Sequence, residues 1–117
     1  KRYMWEFPAG MVEDDETPVE AGRRELFEET GVASNEAVLI GSQTPISGFV
    51  GDTFYTVFAQ IPEIETGDVI PQFEEGIVEA KIVTRQELVA MAASQEIEDG
   101  VTLMCLARYW AYLEQKS

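Results

Sequence analysis

Four stretches of the chain alternate apolar and polar residues or form short apolar runs. Successive side chains of a strand point to opposite faces, so such stretches predict strands. The predicted strands span residues 3–7, 37–44, 53–60 and 77–83. Pro8 and Gly10 end the first strand, and the composition of residues 62–75 predicts a long polar loop.

The first predicted helix has a signal at each end. Thr17 is a residue type that accepts hydrogen bonds from the free N–H groups of a first helical turn, and Pro18 suits the first helical position. We expect the helix to run to Thr30 and to end at Gly31, because glycine readily adopts the left-handed conformation found at helix ends.

Two more helices are predicted near the end of the chain. Thr84 and Glu87 form a capping-box pattern that opens a helix to about residue 93. A last helix is predicted from about residue 100 to residue 115, with a core-facing stripe at helical spacing: Leu103, Leu106, Trp110 and Leu113. Strands interleaved with helices predict one α/β (α+β) domain over residues 1–117. Because the strands are few, we expect that N-terminal strands are missing from this chain.

Composition narrows the classes of function. The chain has 8 Lys plus Arg against 22 Asp plus Glu, a net charge of −14, so we expect no nucleic-acid or membrane partner bound through a basic surface. The chain has no histidine, which excludes Ser-His-Asp and Cys-His catalysis. A general base is therefore expected to be a carboxylate, and a metal to be a hard cation. The single cysteine, Cys105, lies in an apolar run and is interpreted as a buried thiol in a cytoplasmic protein.

The first predicted helix carries acids on one face. Glu25, Glu28 and Glu29 stand at i, i+3 and i+4, within about 100° of arc. At about 6 Å each pair of carboxylates repels by roughly 0.7 kcal/mol in water, which favours a cation such as Mg²⁺ or Mn²⁺ between them. Arg24 is close enough to pair with Glu28, whereas Arg23 is expected to be solvated. This pattern predicts a metal-dependent enzyme that acts on a phosphate compound.

The same segment resembles the NUDIX box. Gly10, Glu16 and the run "RELFEETGV" from Arg24 to Val32 match every fixed position of that box. The preceding "WEFPAG" resembles the ADP-ribose and nucleoside-diphosphate-sugar pyrophosphatase branch, and "PISGF" and "IEDGVTLMCLARYW" resemble it weakly. The resemblance implies an α/β/α sandwich with a mixed sheet. It also implies metal-dependent hydrolysis of ADP-ribose, or of another nucleoside diphosphate sugar, to a nucleoside monophosphate and a sugar phosphate.

Metal ligands are also implied by this resemblance. Glu25, Glu28 and Glu29 are the expected metal-facing carboxylates, and the backbone carbonyl of Ala9 is a further expected ligand for Mg²⁺ or Mn²⁺. Gly10 suits its place in the box because only glycine lets the backbone and a ligand approach so closely.

Other roles in the box are structural or catalytic. Arg24 is expected to orient the carboxylates, Glu16 to tie the loop down through a charge pair, and Gly31 to close the box. The expected water-activating base is Glu74, or Glu75 if the alignment shifts by one residue. Glu28, Glu29 and Arg24 complete the implied catalytic set.

Substrate identity and assembly are less constrained. Where the ADP-ribose branch tends to have a proline, this chain has Ser47, with Pro45 two residues earlier. The alternatives are a NUDIX enzyme acting on another nucleoside diphosphate or triphosphate, and a non-catalytic module that senses ADP-ribose.

We also expect a homodimer, because these residues supply more β-surface than two helices cover: Val38, Ile40, Phe54, Tyr55, Val57 and Phe58.

Overall fold

The computed structural model describes residues 3–44, 53–63, 67–69 and 79–116. In chain order the elements are α1 (Pro18–Thr30), β1 (Glu36–Gln43), β2 (Phe54–Gln60), β3 (Gly67–Val69), β4 (Ala80–Ile82), α2 (Arg85–Ala93) and α3 (Gly100–Lys116). This mixture of helices and strands confirms the predicted class. Within the described ranges, none of the helices has the length and apolar character needed to cross a bilayer.

The predicted helix caps are present. The hydroxyl of Thr17 accepts a hydrogen bond from the N–H of Glu20 at 3.2 Å, and the Glu20 carboxylate accepts one from the N–H of Thr17 at 2.8 Å. Thr84 and Glu87 form the same reciprocal pair. Gly31 ends α1 with a φ of 76°. These contacts satisfy backbone groups that helix ends leave open, and they confirm the predicted bounds of α1 and α2.

β1 and β2 form an antiparallel pair between α1 and α3. Alternate side chains of β2 face the two helices: Val57 lies against Gly22 of α1, whereas the ring of Phe58 stacks on that of Tyr109 in α3, with 5.7 Å between centroids. This layering is an α/β/α sandwich. β3 and β4 form a second antiparallel pair, so the described strands are all antiparallel and the mixed sheet stays a prediction.

A small apolar core joins α2, α3 and the N-terminal segment. Leu106 of α3 is fully buried and forms a cluster with Met91 and Ile97. Trp5 and Phe7 pack against this cluster from the irregular segment before Gly10. The core therefore holds the start of the chain against the C-terminal helix.

Two details of the predicted packing were wrong. Residues 3–7 are irregular rather than a strand, because Trp5 and Phe7 are used for core packing and the N–H of Phe7 donates to the hydroxyl of Thr102 at 3.3 Å. In the predicted stripe of α3, Leu103 is 40% exposed and Thr102 takes the buried position beside it. A hydroxyl can be buried there because it has hydrogen-bond partners.

The predicted loop and the later strand also differ in part. Residues 67–69 form β3 inside the predicted loop 62–75, and the described part of the strand predicted over 77–83 is β4 alone.

Cys105 is half-buried, and its sulfur accepts a hydrogen bond from Thr56 at 3.6 Å. The "PISGF" segment, with Pro45 and Ser47, lies outside the described residues.

Candidate active site

Arg24 is the centre of the candidate site. Its Nε and Nη2 atoms donate to the two carboxylate oxygens of Glu16 at 2.6 and 2.9 Å. Nη2 also donates to the backbone carbonyl of Met11 at 2.9 Å. Nη1 donates to the carboxylates of Glu25, at 2.5 Å, and Glu28, at 3.2 Å. The planar guanidinium thus joins the loop before α1 to two carboxylates of the helix, a geometry that a lysine ammonium does not offer.

The ionised forms of Arg24 and Glu16 stabilise each other. Hydrogen bonding from Arg24 lowers the pKa of the Glu16 carboxyl, and a hydrogen bond from the backbone N–H of Glu13 lowers it further. In return, the hydrogen bond to Glu16 raises the pKa of Arg24. Both partners are therefore ionised at neutral pH, and the loop stays tied to α1 under those conditions.

Glu25 is the buried carboxylate of the site. It is 8% exposed, and it lies directly against the backbone of Gly10. A Cβ atom at Gly10 would overlap the Glu25 carboxylate. Glycine at this position therefore leaves the space that the buried carboxylate occupies.

Glu29 joins the same loop from the last turn of α1. The N–H of Ala9 donates to Oε2 of Glu29 at 3.1 Å. The backbone of Ala9, whose carbonyl is an expected ligand, thus lies beside one of the expected metal carboxylates. The side chain of Glu28 is 39% exposed, so an ion in solvent can reach it.

A hard divalent cation fits the chemistry of these donors. Glu25, Glu28 and Glu29 supply carboxylate oxygens on one face of α1, and Gly10 lets the backbone approach them. Across the ranges that the structure describes, three or more His, Cys, Asp or Glu side chains do not come close enough together to hold a metal ion. Nη1 of Arg24 donates to the carboxylates of both Glu25 and Glu28.

Arg23 has a partner that the sequence prediction missed. Arg23 is exposed, as expected of a solvated side chain, but its Nε also donates to the backbone carbonyl of Ser34 at 2.7 Å. Ser34 is buried, and its hydroxyl donates to the carbonyl of Gln60 at the end of β2. This contact helps to fix α1 relative to the sheet. The sequence contains no local signal for it, since Arg23 and Ser34 belong to different elements.

The expected water-activating bases, Glu74 and Glu75, lie outside the described residues. The other predicted site residues lie in the loop before α1, on α1 and at its C-cap: Ala9, Gly10, Glu16, Arg24, Glu25, Glu28, Glu29 and Gly31. The geometry is that of a charged loop–helix unit joined by one guanidinium.

A comparison with known families decides what this unit is. The family model described as the NUDIX domain matches residues 1–103 of the 117. The chain belongs to the NUDIX family. Its loop and helix α1, with the network around Arg24, are therefore part of a NUDIX domain.

Curated relatives match a shorter part of this NUDIX chain. A protein of Xylella fastidiosa named RNA pyrophosphohydrolase is 50% identical over 42 residues, which are 36% of this chain and 22% of that protein. Proteins with the same name in Aliivibrio fischeri and Bartonella henselae are each 44% identical, over 45 and 36 residues. These matches cover 36% and 31% of this chain. The chain spans about a quarter or less of these relatives, with 26% and 21% of the latter two covered.

Proposed function

We propose that this NUDIX domain hydrolyses the pyrophosphate bond of a nucleotide-containing substrate with the help of Mg²⁺ or Mn²⁺. The observation that carries the proposal is the position of Glu25, buried against Gly10 and joined through Arg24 to Glu28. Crowding carboxylates on one helix face opposes folding, so such a group is more typical of a functional site than of a scaffold.

Each residue of the site has a distinct part in the proposal. Glu25, Glu28, Glu29 and the carbonyl of Ala9 would hold the divalent cation, which would supply positive charge beside the phosphoryl oxygens. Arg24 keeps the carboxylates in place before substrate arrives, and this reduces the entropy lost on binding.

The attacking water also needs a proton acceptor. Glu74, or Glu75 if the alignment is shifted, is proposed for that step, because the chain has no histidine to serve as the base. This part of the proposal rests on the resemblance and on composition.

ADP-ribose or another nucleoside diphosphate sugar is the first proposed substrate class. The segment "WEFPAG" supports it, and the net charge of −14 opposes binding of an extended RNA backbone. The products are then a nucleoside monophosphate and a sugar phosphate, AMP and ribose 5-phosphate in the case of ADP-ribose.

RNA with a 5′ pyrophosphate group is the second candidate. Its support is the shared name of the relatives, RNA pyrophosphohydrolase. Because these relatives are named for an RNA substrate, the prediction that the chain has no nucleic-acid partner is not supported. Such a substrate presents its reacting phosphates at a chain end, so a small acidic domain can reach them with few contacts to the backbone.

A substrate panel with product identification separates these candidates. The panel contains ADP-ribose, other nucleoside diphosphate sugars, nucleoside triphosphates and a 5′-triphosphorylated RNA, each with Mg²⁺, with Mn²⁺ and with a chelator. We expect AMP and ribose 5-phosphate from ADP-ribose only when a divalent cation is present. Pyrophosphate released from RNA, with ADP-ribose left intact, selects the second candidate. Binding of ADP-ribose without cleavage of any substrate selects the sensing module and overturns the proposed activity.

A homodimer is part of the proposal. α1 and α3 cover Val57 and Phe58, but Leu39 and Tyr55, on the α1 face of the β1–β2 pair, remain exposed. Apolar side chains on a sheet are typical of a surface that another chain covers. Sedimentation should give the mass of two chains, and a monomer at micromolar concentration would count against the assembly.

A further inference from the structure

The loop of the site is attached to α3 as well as to α1. The N–H of Phe7 donates to the hydroxyl of Thr102 at 3.3 Å, across 95 positions of sequence. Within the part of the chain that the structure describes, residues 7–11 are also held by side chains of α1: Glu29 accepts a hydrogen bond from the N–H of Ala9, and Arg24 donates one to the carbonyl of Met11. Thr102 is therefore an attachment point from a different part of the fold.

The hydroxyl of Thr102 has a defined orientation. It donates its proton to Oδ2 of Asp99 at 2.9 Å, and the same oxygen accepts a hydrogen bond from the N–H of Thr102 at 2.9 Å. Because the proton is committed to Asp99, the lone pairs of the hydroxyl face the N–H of Phe7. Thr102 is 3% exposed, so water does not compete strongly for this bond.

The connection from Phe7 to Ala9 is short and stiff. Pro8 lies between them, its ring fixes its own φ angle, and it restricts the backbone of the preceding Phe7. Two residues span about 7 Å at most, so fixing the N–H of Phe7 limits where Ala9 can lie. The side chain of Phe7 packs on the core around Leu106, which prevents the segment from sliding.

We propose that Thr102 is a positioning residue for the metal site: its hydroxyl, oriented by Asp99, holds Phe7–Pro8–Ala9 so that Ala9 stays beside Glu29. The effect on metal binding rests on the proposed function. The effect on the backbone does not, because both hydrogen bonds join groups of the protein alone.

A matched set of variants tests this role. Thr102→Val removes the hydroxyl and keeps the shape, whereas Thr102→Ser keeps the hydroxyl. Thr56→Val is the control, because Thr56 is also buried but binds Gln43 and Cys105 instead of the loop. Should Thr102→Val fail to fold, Thr102→Ala replaces it, since alanine removes the hydroxyl without adding volume.

Amide hydrogen exchange in metal-free protein is the first measurement. In Thr102→Val we expect exchange at Phe7 to be about tenfold faster, as the loss of one hydrogen bond implies, and exchange at Ala9 to rise as well. Thr102→Ser and Thr56→Val should leave both amides as in the unsubstituted protein. Unchanged exchange at Ala9 in Thr102→Val, or an equal rise in Thr56→Val, overturns the proposal.

Titration with Mn²⁺, followed by the electron paramagnetic resonance of the free ion, is the second measurement. The dissociation constant should rise about tenfold in Thr102→Val and recover in Thr102→Ser, since residues that orient metal ligands affect affinity on that scale. An unchanged constant in Thr102→Val overturns the link to the metal site. Absence of Mn²⁺ binding in the unsubstituted protein overturns the proposed function instead, and the exchange rates still decide the role of Thr102 in the backbone.

Discussion

Arg24 and Glu16 are joined by two hydrogen bonds, from Nε to Oε2 at 2.6 Å and from Nη2 to Oε1 at 2.9 Å. Glu16 also accepts a hydrogen bond from the N–H of Glu13 at 3.0 Å, so the pair closes the loop before α1 back onto the helix. Because the guanidinium has further donors for Glu25 and Glu28, one side chain sets both the loop and the carboxylates. This dependence on a single side chain leads to the first two predictions.

Replacing Arg24 by lysine should lower turnover by about 10- to 100-fold while the fold is retained, because lysine keeps the charge but cannot make the paired bonds to Glu16. Arg23→Lys is the control, since the hydrogen bond of Arg23 to the Ser34 carbonyl lies outside the site. Steady-state kinetics and circular dichroism provide the two measurements. Equal turnover in the two lysine variants contradicts an orienting role for Arg24.

Acid stability should depend on Glu16. Hydrogen bonding from Arg24 lowers the folded-state pKa of Glu16 below its ordinary value of 4.5. The stabilisation from this carboxylate is therefore complete above that ordinary value and is lost as the pH falls through the lowered folded-state pKa. Urea unfolding at a series of pH values should show that the free energy of unfolding falls less at acid pH in Glu16→Gln than in the unsubstituted protein. Glu63→Gln, at an exposed position, is the control and should keep the full acid loss.

Alanine substitutions at two glycines should have different effects, one on activity and the other on stability. Gly10→Ala places a methyl group on the Glu25 carboxylate, so we expect turnover and Mn²⁺ affinity to fall about 100-fold, on the scale of disturbed metal ligands. Gly22→Ala puts a Cβ 3.0 Å from the Cβ of Val57, so α1 and β2 must move apart. We expect this overpacking to lower the free energy of unfolding by about 1–3 kcal/mol. Gly100→Ala meets no atom within 4 Å and is the control. Full activity in Gly10→Ala contradicts the site assignment.

Removing a charge from the expected ligands should abolish most activity. Glu29→Gln can still accept the hydrogen bond from Ala9 through its amide oxygen, so its loss of turnover reports the charge rather than the loop. We expect Glu28→Gln and Glu29→Gln each to lower turnover by about 100-fold or more, because an amide is a poor ligand for a hard cation. Glu20→Gln is the control, since glutamine also serves in a capping box. Normal turnover in either ligand variant rules out that ligand.

The base should be found by comparing Glu74→Gln with Glu75→Gln. One of the two should lose most of its turnover while Mg²⁺ affinity changes less than in the variants of Glu28 and Glu29, because a base acts on water rather than holding the cation. Product formation over a pH series and Mg²⁺ titration supply the readouts. If both single variants and the double variant cleave substrate normally, the base lies elsewhere in the chain.

The sequence by itself determined the features that depend on neighbouring residues. Thr17 and Gly31 predict the ends of α1, and Thr84 with Glu87 predicts the start of α2, because capping bonds join residues three or four positions apart. The helical period alone places the acids of α1 on one face, and Arg24 within reach of Glu28. The NUDIX box, from Gly10 to Val32, is likewise a pattern of residue types at fixed spacing, so the resemblance to the family can be read from the sequence.

Only the tertiary structure decided the contacts between distant segments. The pattern of α3 predicted a buried Leu103, but Thr102 is buried instead, because the N–H of Phe7 needs an acceptor at that point. The contact of Gly22 with Val57 likewise appears only when α1 packs on β2. A periodic pattern states which face of an element is apolar, but the partner across the interface depends on how separate elements meet.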